Sequence, residues 1–310
     1  MQNAITEPYK YHSSGRPLNV DIALPPKHSP SKKYQTLICY HGGGLVCGSR
    51  HTYIPLYLAS KLRKLGWIII FPDYQLLPEA TGWDIRQDVI DLEQWILKEQ
   101  ATWGIDVDKI ALSGTSAGGY LGALTAVTWK TIKPQAFTSV YGMVDITSDW
   151  YSAKKQPGLT VMGVPVDTIK EENYQKLYEN DREVVWDDRV TKDDRSLIFL
   201  LFIREGIYPK MIYGRLPGKN NGEGLDDSYL QPLNRIDSSF PRTIAIHGDQ
   251  DSAVKVSDSY NLVDRVRKAG IKSEIHVIKG AEHGLMPEAM HDQEWNYVVE
   301  FLQRATETQG

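Results

Sequence analysis

The chain carries, at three separate points, the residue types that together make a serine nucleophilic: Ser116 within Gly114-Thr115-Ser116-Ala117-Gly118, Asp251, and His283. A serine hydroxyl is a poor nucleophile at neutral pH. It needs a base to take its proton, an acid to orient that base, and donors for the oxygen that becomes negative. The pentapeptide lies between an apolar strand-like run, Lys109 to Ser113, and an apolar helix-like run, Gly119 to Trp129. In that setting a G-x-S-x-G reads as a sharp strand-to-helix turn that lifts the hydroxyl above a sheet. Its glycines let strand and helix approach without a Cβ in the way. A helix starting at Ser116 also turns free N–H groups towards developing negative charge.

The base is expected on the loop after the last strand-like run, Lys272 to Ile278, and His283 in Ala281-Glu282-His283-Gly284 stands there. His276 lies inside that run and His291 on the closing helix, so both read as structural or surface residues. His12, His28 and His51 come too early in the chain. The acid is expected between nucleophile and base. Asp251, in His247-Gly248-Asp249-Gln250-Asp251-Ser252-Ala253-Val254, sits clear of a strand end, with Asp249 as the alternative and Asp145 as a more distant competitor. Asp249 then accepts loop amides locally. Upstream, His41-Gly42-Gly43-Gly44 follows another strand-like run, and glycines allow main-chain N–H groups to face a pocket. The amides of Gly43, Gly44 and Ala117 are expected to form the oxyanion hole, with His41 organising the loop rather than catalysing.

The elements that must position these residues can be read from periodicity. Tyr9 to Ser13 and Leu18 to Leu24 suggest two strands joined at Ser14-Gly15, and Gln35 to Tyr40, Trp67 to Phe71, Ala136 to Met143 and Thr243 to Ile246 suggest buried strands. Between them, Leu58, Leu62 and Leu65 recur at helical spacing before Gly66. So do Ile85, Val89, Leu92 and Ile96 before Gly104, Leu262, Val266 and Ala269 before Gly270, and finally Trp295, Val298 and Leu302. Strands alternating with helices imply a mostly parallel sheet covered on both faces. Residues 147–236 break that rhythm with a charged segment (Lys170 to Arg195), an apolar run (Leu197 to Ile203) and a loop-like Gly218-Lys219-Asn220-Asn221-Gly222. They are expected to form an inserted, mainly helical lid on a core of residues 1–146 and 237–310, with the charge run as a solvated helix face. Trp150, Tyr151, Phe199, Phe202, Tyr208 and Tyr213 either line an apolar pocket or pack the lid onto the core.

Taken in order, His41 to Gly44, Asp73-Tyr74-Gln75-Leu76-Leu77-Pro78-Glu79 and Gly114 to Gly119 resemble the hormone-sensitive-lipase-like branch of the α/β-hydrolases, in its GTSAG form. The resemblance covers nearly the whole chain apart from the insertion. It implies an α/β-hydrolase fold and an esterase or lipase acting on acyl esters without a cofactor. Thr115 stands where the family often has Asp. The stretch from His247 to Val254 is closer to the H-G-x-x-D-x-x-V of prolyl-oligopeptidase-type peptidases and related esterases.

With 310 residues the chain can bury a large core, and its formal charge of −4 with scattered Lys and Arg gives no footprint for nucleic acid or an anionic membrane. Two cysteines, Cys39 and Cys47, make no disulfide framework and suit a reducing compartment. A polar N-terminus and short apolar runs argue against a secretory signal or a membrane span, so a cytoplasmic protein taking a small, apolar ester is expected. The same catalytic groups would equally serve a biosynthetic acyl transferase, cyclase or lyase. A serine peptidase lacks support from chain length, and a receptor without catalysis would be expected to have lost one of the three residues.

Overall fold

A computed structural model describes residues 4–170, 172, 183–190, 195–216, 219–220, 223–286 and 291–307. Most of the expected charged segment, Lys170 to Arg195, and Gly218, Asn221 and Gly222 of the loop-like run lie outside the described residues.

The chain opens with an antiparallel pair, β1 (Ile5–Tyr11) and β2 (Pro17–Ala23), turned at Gly15, whose φ of 80° belongs to the left-handed region that glycine enters freely. The strand and helix sequence that follows is β3 (Tyr34–Tyr40), α1 (Leu56–Lys64), β4 (Ile68–Pro72), α2 (Gly82–Trp103), β5 (Ile105–Thr115), α3 (Ala117–Thr128) and β6 (Ala136–Val140). After an intervening segment, described below, come β11 (Arg242–Gly248), α7 (Val256–Lys268), β12 (Ser273–Ile278) and α8 (Asp292–Thr306).

Among the described residues the main sheet has eight strands in the order β1-β2-β4-β3-β5-β6-β11-β12, parallel from β4 onward. Helices α1 and α8 cover one face, packing Leu58, Leu62, Trp295, Val298 and Leu302 against the sheet. On the other face α2, α3 and α7 bury Ile85, Val89, Leu121, Leu124, Leu262 and Val266. The helix stops fall at the expected glycines: Gly66 and Gly270 have φ of 98° and 81°, and Gly104 caps α2 at φ 70°. At the other end of α2, Thr81 and Asp84 form a reciprocal capping box.

Strand β6 ends at Val140, three residues before the expected Met143. Tyr141 takes φ 39°, and Gly142 then packs so closely on Gly119 that a Cβ on either would fall within 3.1 Å of the other's Cα. The intervening segment holds α4 (Asp149–Ser152), the hairpin β7 (Thr160–Val161) with β8 (Val164–Pro165), α5 (Ser196–Glu205), α6 (Tyr208–Ile212), a second hairpin β9 (Arg215–Leu216) with β10 (Lys219–Asn220), and 3-10 turns at Asp227–Leu230 and Pro232–Arg235. The apolar run expected from Leu197 to Ile203 is α5, buried from Ile198 to Ile203 and closed by Gly206 at φ 65°. Because β3, β5, β6, β11 and β12 are parallel, the loops leaving them gather on one edge of the sheet, where ligands of such folds bind.

Candidate active site

Ser116 is the N-cap of α3, with φ 51° and ψ −120°, a conformation that a side-chain-bearing residue holds only when its surroundings impose it. Three main-chain bonds do so. Ser116 N–H donates to Val140 O at 2.9 Å, and Ser116 O accepts from Gly119 N and Met143 N, each at 2.8 Å. The flanking glycines are required by space. A Cβ on Gly114 would lie 1.9 Å from Gly118 O, and one on Gly118 would lie 2.3 Å from Tyr40 O. Thr115 serves the neighbouring loop. Its hydroxyl donates to Tyr53 O, which also accepts Gly42 N–H, so it ties the loop after the triple glycine to the elbow.

His283 bridges the other two candidates. Its Nε2 lies 3.2 Å from Ser116 Oγ and its Nδ1 2.7 Å from Asp251 Oδ2, and its ring rests edge-on against Tyr141 at 4.8 Å. Asp251 Oδ1 accepts Ala253 N–H and Val254 N–H at 2.9 and 2.8 Å, while Oδ2 also accepts from His247 Nε2 at 3.1 Å. Burial would raise this carboxyl, but the bonds from His247 and His283 outweigh it and hold Asp251 well below the usual carboxylate range. Asp249 instead accepts Gly280 N–H at 2.7 Å, the local role expected of it. Asp145 is engaged by Asn261 at 2.8 Å and has no bond to His283.

His247 is the residue that sequence reasoning passed over. It is wholly buried at the end of β11. Its Nε2 faces two acceptors, Asp251 Oδ2 and Val254 O, so that nitrogen carries the proton, and Nδ1 accepts the Ser259 hydroxyl at 2.8 Å. The signal was a histidine four residues before the acid on a strand end.

The glycine loop faces Ser116 from the end of β3. In a planar trans peptide the N–H points opposite to the preceding carbonyl, so whatever grips the carbonyl aims the amide. Gly42 O is held by the Tyr74 hydroxyl at 3.3 Å and by His41 Nδ1 at 2.8 Å, which turns Gly43 N–H the other way. Gly43 O accepts Val46 N–H and Cys47 N–H at 3.0 Å and the Cys47 thiol at 3.4 Å, which does the same for Gly44 N–H. The N–H groups of Gly43, Gly44 and Ala117 have no protein acceptor among the described residues. His41 is stacked on Tyr74 at 4.0 Å, and burial depresses it to about 3, so it works as a neutral donor. Cys39 and Cys47 are both buried and are not joined in a disulfide.

These groups open into a cavity of about 320 Å³ whose lining includes Phe199, Tyr141, Met162 and Met286 and, among the described residues, no Asp, Glu, Lys or Arg. Of the aromatic residues singled out between β6 and β11, Phe199 lines it. Tyr151, Phe202 and Tyr208 pack behind it, Trp150 donates to Ala253 O, and Tyr213 bonds Gln231. Among the described residues no group of three or more His, Cys, Asp or Glu side chains is arranged to hold a metal ion, and no helix is long and apolar enough to cross a membrane.

Residues 37–189 match the family model described as the alpha/beta hydrolase fold, and residues 208–309 match that of the prolyl oligopeptidase family. Esterase 2 of Thermogutta terrifontis, solved phosphoramylated by tabun, superposes with a TM-score of 0.66 at 18% identity, covering 98% of this chain and 95% of its own. A Staphylococcus aureus protein of unknown function superposes with a TM-score of 0.74 at 20% identity, covering 98% of this chain and 100% of its own. The architecture and these matches define the fold as that of the α/β-hydrolases.

Two relatives differ in kind. Non-reducing polyketide synthase atr1 of Stereocaulon alpinum is 26% identical over 308 residues, 90% of this chain but 12% of the synthase. Esterase LipC of Mycobacterium tuberculosis is 26% identical over 260 residues, 83% of this chain and 55% of the esterase. The chain thus spans about an eighth of the synthase and about half of the esterase. The second family match falls on the part of the chain whose acid motif departs from the hormone-sensitive-lipase pattern.

Proposed function

We propose that this α/β-hydrolase cleaves a carboxylic ester through an acyl-enzyme and belongs with the hormone-sensitive-lipase-like esterases. The observation that carries the reading is His283, hydrogen-bonded through one nitrogen to Ser116 and through the other to Asp251. Ser116 Oγ attacks the ester carbonyl as His283 Nε2 takes its proton. The carbonyl oxygen becomes an oxyanion bound by the amides of Gly43, Gly44 and Ala117. Collapse breaks the C–O bond, and His283 returns the proton to the departing alkoxide, releasing the alcohol and leaving Ser116 acylated. Water, deprotonated by the same nitrogen, then attacks the acyl carbonyl, and the acid leaves as Ser116 recovers its proton. Asp251 keeps the Nδ1–H tautomer and offsets the imidazolium charge. No step calls for a cofactor.

Residues 147–236 act as the lid in this reading, and the cavity, uncharged among the described residues, suits a small, apolar ester rather than a nucleic acid or a membrane. Cys39 and Cys47, not joined in a disulfide, fit a cytoplasmic setting. A second reading is favoured by one observation, the alignment of 90% of the chain with part of a polyketide synthase. Here the same acyl-enzyme hands its acyl group to a nucleophile other than water, in a biosynthetic transfer or cyclisation.

Ser116→Ala should lower hydrolysis of p-nitrophenyl esters of graded chain length by at least ~10³-fold and abolish labelling by a fluorophosphonate. Turnover near the wild-type rate in that variant would overturn the assignment. A wild-type enzyme that labels but hydrolyses no ester would favour the second reading.

A further inference from the structure

The segment between β6 and β11 does more than roof the cavity; it grips the glycine loop from behind. The Tyr208 hydroxyl, at the start of α6, donates to Gly44 O at 2.8 Å. Arg195, the residue before α5, donates from Nε to Val46 O at 2.7 Å and from Nη2 to Leu77 O at 2.6 Å, while Leu77 N–H in turn donates to Leu45 O at 2.8 Å. Both side chains are wholly buried. Arg195 is neutralised by a two-pronged pair with the equally buried Glu79, both contacts at 2.8 Å. The contact is close: a Cβ on Gly44 would sit 2.5 Å from the Phe199 ring and 2.8 Å from the Tyr208 oxygen.

The loop needs such tethers. Gly43, Gly44 and Leu45 have φ of 97°, 59° and 62°, three successive left-handed residues of which one carries a side chain. Such a run persists only where its surroundings over-determine it. The near limb, Gly42 and Gly43, is clamped by His41, Tyr74 and the Val46-Cys47 turn. The far limb, Gly44 to Val46, is clamped by Tyr208, Leu77 and Arg195.

We propose that Tyr208 and Arg195 are positioning residues for the Gly43 and Gly44 amides, so that the segment expected to be a lid is a working part of the oxyanion site. The inference rests on the ester-hydrolase reading above. Tyr208→Phe removes one oxygen and keeps the ring, which packs edge-on against Tyr151, Phe199 and Phe202. Arg195→Lys keeps a cation beside Glu79 but gives up the forked donors to Val46 and Leu77.

The test measures kcat per active site, titrated with a fluorophosphonate, together with KM and the inhibition constant of a trifluoromethyl ketone, whose tetrahedral adduct presents an oxyanion. For each variant kcat should fall about tenfold, less than the ~10²–10³-fold cost of deleting a donor outright. KM should move less than about twofold, and the ketone constant should rise by about the factor lost from kcat. Wild-type kcat per titrated site in Tyr208→Phe would overturn the proposal, even if its melting temperature fell. So would a loss confined to KM with ketone affinity unchanged, which marks a role in packing or substrate binding. A wild-type protein that neither labels nor hydrolyses any ester would instead sink the underlying reading.

Discussion

Replacing Asp251 by Asn changes one oxygen to an NH₂, and the neighbouring donors determine which one. Oδ1 accepts two main-chain N–H groups, from Ala253 and Val254, which cannot turn away, so the amide oxygen must stay there. The NH₂ is then forced to the Oδ2 position, 2.7 Å from His283 Nδ1. Two N–H groups cannot face each other at that distance. His283 must give up its Nδ1 proton and carry it on Nε2, the nitrogen facing Ser116, where a base needs a lone pair. His247 Nε2–H loses the Oδ2 acceptor too and keeps only Val254 O, while the His283 tautomer is wrong, a defect that in a serine protease triad lowers kcat by about 10⁴. Asp249→Asn is the control, because Asp249 holds Gly280 N–H and the Gln250 side chain and touches neither histidine. Steady-state hydrolysis of a p-nitrophenyl ester by both variants, with folding checked by circular dichroism, reads the difference. If Asp251→Asn kept more than about a tenth of wild-type kcat, or if Asp249→Asn lost more, the tautomer reasoning would be refuted.

Two further outcomes follow from buried histidines. His247→Phe strips Asp251 Oδ2 and Val254 O of their Nε2–H donor in a fully buried setting, and should cost about 1–3 kcal/mol in urea unfolding; a smaller loss would mean the site relaxes around the gap. His41 is held to about 3 by burial, whereas its unfolded pKa is near 6.5, so between those values the unfolded chain binds the extra proton. Its share of stability is therefore present above pH ~6.5 and lost as pH falls towards 3. Asp73, Asp88 and Asp258, each pushed up to about 6 by burial, act with the opposite sign between roughly pH 4 and 6, so the histidine's share is read by comparison with His41→Asn. A urea midpoint that changes with pH equally in both proteins would contradict it.

The sheet and its helices were legible because their signals are local. Apolar runs bounded by glycine gave β3, β4 and β5, and Gly66, Gly104 and Gly270 stop their helices where left-handed φ is needed. The meeting of Ser116, Asp251 and His283 was legible for a related reason: each follows a strand that the apolar pattern marks, and chain order limits the roles proposed for them. His247 was missed because a histidine within an apolar strand reads as one more buried side chain; only the bond across four residues to Asp251 separates it from His276. The segment from 147 to 236 was the least legible. Its short helices and two-residue strands are stabilised by long-range partners, such as Tyr208 on Gly44 and Arg195 on Glu79, that leave no periodic trace.

A comparison of buried carboxylates explains why that missed histidine matters. Asp258 is as well supplied with donors as a buried acid usually is, accepting Val144 N–H, Asp145 N–H and the Tyr151 hydroxyl, yet burial still pushes it up to about 6. Asp251 is also buried, but its second oxygen faces two imidazoles rather than neutral amides or a phenol, and its carboxyl is held low instead. The Nε2–H bond from His247 and the bond from His283, whose ring can take up a proton, together favour the ionised form. In the proposed mechanism the orienting acid must remain an anion while His283 becomes a cation, and one histidine cannot both hold that anion and serve as the mobile base. His247, locked between Asp251, Val254 and Ser259, supplies the fixed half of that support, which leaves His283 free to change charge as Ser116 reacts.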